Sequence, residues 1–428
     1  MKTSEVFDAL LENLKVGDTS TAIAARRDEI TKALNKNFRD KDGSTEHKLM
    51  IGSYGRYTAI RGISDLDMIY ILPASLRATY EGETGPRRAL ERVRDTLKAR
   101  YPSTSIRVDQ CVVRVQFTNF KFEVRPAFEN DDESFDYPDT VAKNWKVTKP
   151  RAEISETRAC NQRTSSNMRR LARMARAWNN TNGVNMGGLI IDTLVHRFFA
   201  NTSDYDTAGS DTYDLMVCDF FEFLANELDK DYYLALGSNQ RVNVKARFQP
   251  KAKKAYKRCL EAIALEGKVA ANKKWREVFG TSVPLKATES AFSFKETEEF
   301  IENRYPVDIS GTLTINCRVT QNGWRPASLR DMLSTRTLLL PNKDLDFTIT
   351  ECSVVGPYLV RWKVLNRGEE AERRDEIRGQ IVGPNRPNEG RREKTKFRGD
   401  HLVECYIVKD GVVVARDLIE VPIGANAD

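Results

Sequence analysis

Residues 52–72 read GSYGRYTAIRGISDLDMIYIL, and the two ends of this stretch together decide the fold. Asp65 and Asp67 alternate within an apolar run, so on a strand both project from one face while Leu66 and Met68 project from the other. Two carboxylates then converge on one point. Magnesium prefers carboxylate oxygens together with substrate phosphates, so a convergent aspartate pair suits metal-assisted phosphoryl or nucleotidyl transfer. Upstream, Ser53 stands between Gly52 and Gly55, whose missing side chains let backbone N–H groups approach a polyphosphate. An Asp-x-Asp or a Gly-Ser alone is common in ordinary turns. The order of the two, glycine turn before acidic strand, is what points to a nucleoside triphosphate and its metals.

Working outward, TAIAARRDEITKAL carries apolar residues at helical spacing behind a cap at Thr19 or Ser20. After the strand, GPRRALERVRDTLKARY predicts an amphipathic helix with a basic polar face. SIRVDQCVVRVQF and KFEVRPAF then predict two or three strands, and the last brings Glu123 as a third carboxylate behind a hairpin expected to pair with the aspartate strand. This alternation predicts an α+β domain over residues 1–150. Residues 151–290 turn helical through NMRRLARMARAWNN, GGLIIDTLVHRFFAN, YDLMVCDFFEFLANEL, PKAKKAYKRCLEAIALEGK and NKKWREVFG. Residues 291–428 carry short β-branched segments such as TLTINCRV, DFTITECSV, YLVRWKVLN and HLVECYIV, which predict a β-rich third domain.

A chain of 428 residues fits two or three domains. It is 40% hydrophobic and 30% charged with no apolar run of eighteen residues, which predicts a globular protein that stays in the cytoplasm. The opening MKTSEVFDALLENLKVGD is acidic and lacks a cleavable apolar stretch, so it predicts a helix and not a signal peptide. Seven scattered cysteines and three histidines indicate neither a disulfide framework nor a zinc knuckle, and argue against zinc chemistry and a Ser-His-Asp triad. Carboxylates must therefore carry the chemistry. The net charge of +7 suits a polyanionic partner, or reflects a diffusely basic surface.

GSYGR followed by SDLD, then FEVRPAF, then YPD and NWKVTKPRAEI leading into LARMARAW, resembles the polymerase-β-like nucleotidyltransferases. Within them the chain is most similar to the bacterial CD-NTases, or SMODS synthetases, which make oligonucleotide second messengers in anti-phage defence. The resemblance implies Asp65, Asp67 and Glu123 as catalytic residues and as ligands of two Mg2+ ions, with Mn2+ as a substitute. Glu123 stands where the family usually has Asp. It implies substrate binding by Gly52, Ser53, Arg56 and Arg176, the last where relatives more often carry Lys. Asp192 falls where relatives carry Glu, and there a structural hydrogen bond or salt bridge is the expectation.

From about Glu298 to Ile423 the chain resembles the AGS-C sensor domain. Arg361, Trp362, Lys363, Asn366 and Arg367 combine planar donors with an aromatic face, a set that suits a nucleotide or a single strand; equally, Trp362 on a strand suits the core. Pro384 to Arg398 holds six basic residues against two acidic ones and predicts a surface loop, with polyanion binding as the second reading.

The resulting expectation is an α+β polymerase-β-like core with a helical domain and a C-terminal β-rich domain. Its activity is template-independent joining of ribo- or deoxynucleoside triphosphates into a cyclic or linear signal, with pyrophosphate released and a separate effector protein downstream. The alternatives are nucleotide transfer onto a nucleic-acid 3′ end or a protein tyrosine, and a catalytically retired nucleotide or single-strand sensor.

Overall fold

The computed structural model describes residues 1–17, 19–118, 120–284, 298–320, 325–335, 337, 339–367 and 369–424. These divide into two compact units, Met1–Ala177 with Gly187–Ala271, and Trp178–Met186 with Asn272–Asp428. The expected α+β core, helices and C-terminal β-rich region are all present.

The first unit opens with helices α1 (Thr3–Asn13) and α2 (Thr19–Arg39), then strand β1 (Lys48–Met50), the single turn α3 (Gly52–Gly55) and β2 (Asp65–Ile71). Helix α4 (Gly85–Arg100), with Pro86 in its first turn where no amide donor is needed, leads to β3 (Ser105–Asp109), β4 (Val112–Gln116) and β5 (Lys121–Glu129). Strands β6 (Phe135–Asp139) and β7 (Asn144–Thr148) complete a seven-stranded sheet of order β1-β2-β5-β4-β3, with β6 on β5 and β7 on β6.

The β2–β5 pair is parallel and the others are antiparallel. Sequence reading placed the β3–β4 hairpin against the aspartate strand; the structure inserts β5 there and moves the hairpin outward. Leu66, Met68 and Tyr70 of β2 and Phe122, Val124 and Phe128 of β5 pack against Ile30, Leu34 and Phe38 of α2 and Leu90, Val93 and Leu97 of α4. Burying those side chains, at about 1.5–3 kcal/mol for each large one, fixes the register. A one-residue slip would turn the acidic row into the core.

Helices α5 (Pro150–Arg163), α6 (Asn167–Asn182), α7 (Gly188–Asn201) and α8 (Tyr213–Asn226), a small β8–β9 pair (Tyr232–Leu234 and Arg241–Asn243) and helices α9 (Gln249–Ala264) and α10 (Val269–Phe279) follow. Helix α5 falls in the span expected to be helical from Arg151, though not among its named segments, and the β8–β9 pair was not predicted. Among the described residues no helix is long and apolar enough to cross a membrane.

In the second unit, β10 (Leu313–Thr320), β11 (Ala327–Ser328), α11 (Leu329–Ser334), β12 (Asp344–Cys352), β13 (Leu359–Leu365), α12 (Glu369–Arg373), β14 (Arg378–Val382), β15 (Arg391–Lys394), β16 (Gly399–Lys409) and β17 (Val412–Ile423) form two four-stranded sheets. Ile315, Cys317 and Phe347 from one sheet share a core with Trp362, Cys405 and Ile407 from the other. The basic segment 384–398, read as a loop, contributes β15 to the edge of β12.

Trp362 is fully buried and donates its indole N–H to the Glu389 carbonyl at 2.8 Å. Lys363 is buried between Glu298 (2.7 Å) and Glu404 (3.4 Å). Both side chains are engaged inside the fold, so the stacking surface read from this stretch is not presented by Trp362.

Candidate active site

Alternation along β2 sends Asp65 and Asp67 to the sheet face away from α2 and α4, and alternation along β5 sends Lys121, Glu123 and Arg125 to the same face. The parallel register sets Asp65 opposite Lys121 and Asp67 opposite Glu123. The three predicted carboxylates are thus brought together, although the two strands that carry them lie far apart in the chain.

The turn α3 closes over this face. Ile51 N–H bonds to the Asp67 carbonyl at 3.0 Å, so β1 delivers Gly52 directly onto Asp67. Gly52 has φ +63°, and a β-carbon there would lie 2.2 Å from Asp67 Oδ2. Only glycine satisfies both demands. The Ser53 carbonyl accepts from the amides of Thr58 (2.9 Å) and Ala59 (3.2 Å), which curls the chain after the turn.

Burial raises Asp67 first, and the charges of Glu123 and Asp65 add to it against the opposing pull of Arg125, so that its pKa is pushed up to about 6. Asp65 accepts from the Ser64 hydroxyl at 3.0 Å. Besides Arg125, two cations pair with the carboxylates: Lys121 Nζ stands 3.1 Å from Asp65 Oδ1 and 3.9 Å from Glu123 Oε1, and Arg114 donates Nε–H to Glu123 Oε1 at 3.0 Å. Neither was identified from sequence. The same alternation that found Glu123 in KFEVR would have found Lys121.

Among the described residues no three His, Cys, Asp or Glu side chains are placed so as to hold a metal ion by themselves. The donor chemistry nonetheless fits a hard divalent ion: all-oxygen carboxylates on one face, one of them resisting ionisation because it is buried beside two like charges, with the Gly52 backbone so close that a β-carbon would clash with it.

Arg56 and Arg176 are engaged in a buried cluster around Asp192, from which the charge of Arg56 still acts on Asp67. Asp192 is fully buried and accepts from Arg56 Nε (2.7 Å), Arg176 Nη1 (2.7 Å) and Nη2 (3.0 Å) and the Thr58 hydroxyl (3.0 Å). Arg176 also donates to the Gly188 carbonyl at 2.9 Å, and Arg56 to Glu153 at 3.2 Å. Burial alone would raise the Asp192 pKa, but Arg176 and Arg56 outweigh it and hold the carboxyl below its ordinary range. Next to this cluster, Arg169 and Arg173 of α6 donate to the carbonyls of Arg56 (3.2 Å) and Tyr57 (3.1 Å). The segment after the glycine turn is therefore clamped onto the helices by guanidinium groups.

A cavity of about 580 Å³ lies at α5 and α7, lined among others by Glu156, Cys160, Arg163, His196 and Phe199. None of the predicted site residues lines it.

Residues 1–161 match the Second Messenger Oligonucleotide or Dinucleotide Synthetase (SMODS) domain, and residues 295–424 match the Adenylyl/Guanylyl and SMODS C-terminal sensor domain (AGS_C). A probable cyclic nucleotide synthase of Bacillus cereus strain VD146 is 21% identical over 275 residues, 54% of this chain and 81% of that protein. Similar solved structures include CdnC of E. coli MS115-1 with ATP, at TM-score 0.49 and 15% identity over 66% of this chain and 99% of that one. The apo form of DncV from Vibrio cholerae gives TM-score 0.48 and 13% identity, over 64% and 93% respectively. By its two domain matches the chain joins a SMODS nucleotidyltransferase domain to an AGS_C sensor domain and belongs with the nucleotide second-messenger synthetases built in this way.

Proposed function

We propose that this chain is a metal-dependent, template-independent nucleotidyltransferase that joins nucleoside triphosphates, ATP among them, into a short cyclic or linear oligonucleotide signal and releases pyrophosphate. The observation that carries this reading is the single sheet face on which Asp65, Asp67 and Glu123 meet under the Gly52 turn. Two magnesium ions held by these carboxylates would polarise the α-phosphate and favour the ionised form of the acceptor hydroxyl.

The protein's own part is placement. Gly52 lets the turn lie directly against Asp67, and the Ser53 turn offers backbone amides and a hydroxyl to phosphate oxygens. A sugar hydroxyl of the acceptor, aligned opposite the leaving pyrophosphate, then displaces it at the α-phosphorus. Arg56 and Arg176 act from behind, holding the turn through Asp192 and Thr58. The C-terminal domain is read as a sensor that couples an activating ligand, a nucleotide or single strand, to synthesis. The reading extends to a cytoplasmic protein in anti-phage defence with a separate effector that responds to the product, and the family resemblance is what supports this part of it.

The test is incubation with Mg2+ and each of the eight ribo- and deoxynucleoside triphosphates, alone and mixed, with products resolved by liquid chromatography and mass spectrometry. Pyrophosphate with small oligonucleotides, lost in the Asp65→Ala/Asp67→Ala double variant, is expected. Nucleotide increments on the intact protein would replace this reading with transfer onto the chain itself. Binding without pyrophosphate under every condition would overturn catalysis.

A further inference from the structure

The acidic face carries its own cation. Lys121 is set by register opposite Asp65 and by alternation beside Glu123, so its ammonium lies between two of the three carboxylates, at 3.1 and 3.9 Å. Its backbone is pinned by an N–H bond to the Ser64 carbonyl at 2.8 Å. Its side chain is a quarter exposed, and Asp65 is more open still at 37%. The stem is thus anchored at its base while the charged tip borders solvent. A compact ammonium on a flexible four-carbon stem can leave one partner for another, whereas the fork of Arg114, tied to both Glu123 (3.0 Å) and Asp109 (2.8 Å), is held at two points.

An ordinary cross-strand ion pair would join Lys121 to Asp65 alone. Here the ammonium also faces Glu123, and register sets it at the Asp65 end of the row, whereas the Gly52 turn lies against Asp67. A cation in that position competes with any divalent ion for the same oxygens. Because magnesium sites in such chemistry are completed by substrate phosphates, the arriving triphosphate would supply both the missing ligands and a new acceptor for the displaced ammonium.

We propose that Lys121 is a displaceable counter-ion of the Asp65–Asp67–Glu123 set, one that keeps divalent metal off the chain until a nucleoside triphosphate arrives with it. This rests on the reading of the three carboxylates as the metal site. Its consequence is a protein that binds metal weakly alone and loads metal and nucleotide together.

The probe is Mn2+ alone, titrated into the full chain without nucleotide and followed by loss of the free-ion electron paramagnetic resonance signal. Lys121→Met keeps the apolar stem and removes the charge; Lys121→Gln serves as a second neutral variant, and Lys121→Arg keeps the charge. Thermal melts establish that each is folded. The expected result is that the neutral variants bind Mn2+ about tenfold more tightly than the wild type, a change of about 1.4 kcal/mol, while Lys121→Arg stays weak. Equal affinity in the wild type and both neutral variants, with binding abolished by Asp65→Ala/Asp67→Ala, would overturn the role of Lys121 and leave the metal site standing. Binding that Asp65→Ala/Asp67→Ala does not weaken would overturn the metal site, and this inference with it.

Discussion

A β-carbon on Gly52 would come within 2.2 Å of Oδ2 of Asp67, so the turn after β1 and the carboxylate on β2 are fitted to a clearance that only glycine leaves. Gly52→Ala adds a left-handed backbone strain of about 1–2 kcal/mol to that clash. We expect pyrophosphate release to fall at least a hundredfold while circular dichroism shows an intact fold. A variant with more than a tenth of wild-type turnover would show that Asp67 need not sit against the turn.

Asp67 should make the metal-free protein less stable as pH rises. Its folded pKa, about 6, lies above the ordinary value of 3.8, so the folded state holds the proton longer than the unfolded chain does. The contribution is fully present below about pH 4 and is lost as pH climbs through 6. Allowing for solvent screening, Asp67→Asn should gain about 1–3 kcal/mol at pH 7.5 in the metal-free state while abolishing activity. Urea melts in a chelator at pH 4.5 and pH 7.5 measure it; no gain at the higher pH would count against the crowding of carboxylates.

Asp192 should show the opposite sign. Its pKa is held below the ordinary range by Arg176 and Arg56, so its contribution is present above that range and is lost as pH falls through the folded value. Asp192→Ala leaves the buried Arg176 without a carboxylate and Arg56 with Glu153 alone, and should cost about 3–5 kcal/mol, as broken buried ion pairs do. Asp192→Asn should flatten the acid limb of the stability profile. Denaturant titrations across pH 3–7 decide the matter.

Trp362 should prove to be structural. Its ring is buried against Phe347 and its N–H is bonded, so Trp362→Ala should destabilise the C-terminal domain by about 3–5 kcal/mol. Trp362→Phe should keep the fold at a smaller loss. If Trp362→Phe instead abolishes binding of a single-stranded probe with no change in melting, stacking at this residue would have to be reinstated.

What could be read from the chain was whatever depended on local periodicity. The two-residue repeat of DLDMIYI and of KFEVR fixes which side chains share a face, and it is enough to unite Asp65, Asp67 and Glu123 once the strands are paired. It did not disclose the pairing itself, because the intervening hairpin suggests antiparallel neighbours and nothing local distinguishes a parallel crossover. Nor did it fix the direction of Arg56 and Arg176, whose acceptor is 136 and 16 residues away. The clue was Asp192 itself: a carboxylate inside the apolar run LIIDTLV has to be matched by buried cations. The same holds for Trp362, whose place in the alternation LVRWKVL sends it inward with Val360 and Val364.

The parallel union of β2 and β5 has a further meaning for how this protein comes into being. A hairpin cannot make it, so the chain between Leu72 and Phe120, with α4 and the β3–β4 hairpin, must be in place before Glu123 meets Asp67. During synthesis the acidic centre cannot exist until β5 has left the ribosome, and half-made chains present only a bare pair of aspartates on a strand awaiting its neighbour. In refolding, the meeting of Glu123 with Asp67 waits on the closure of that long loop.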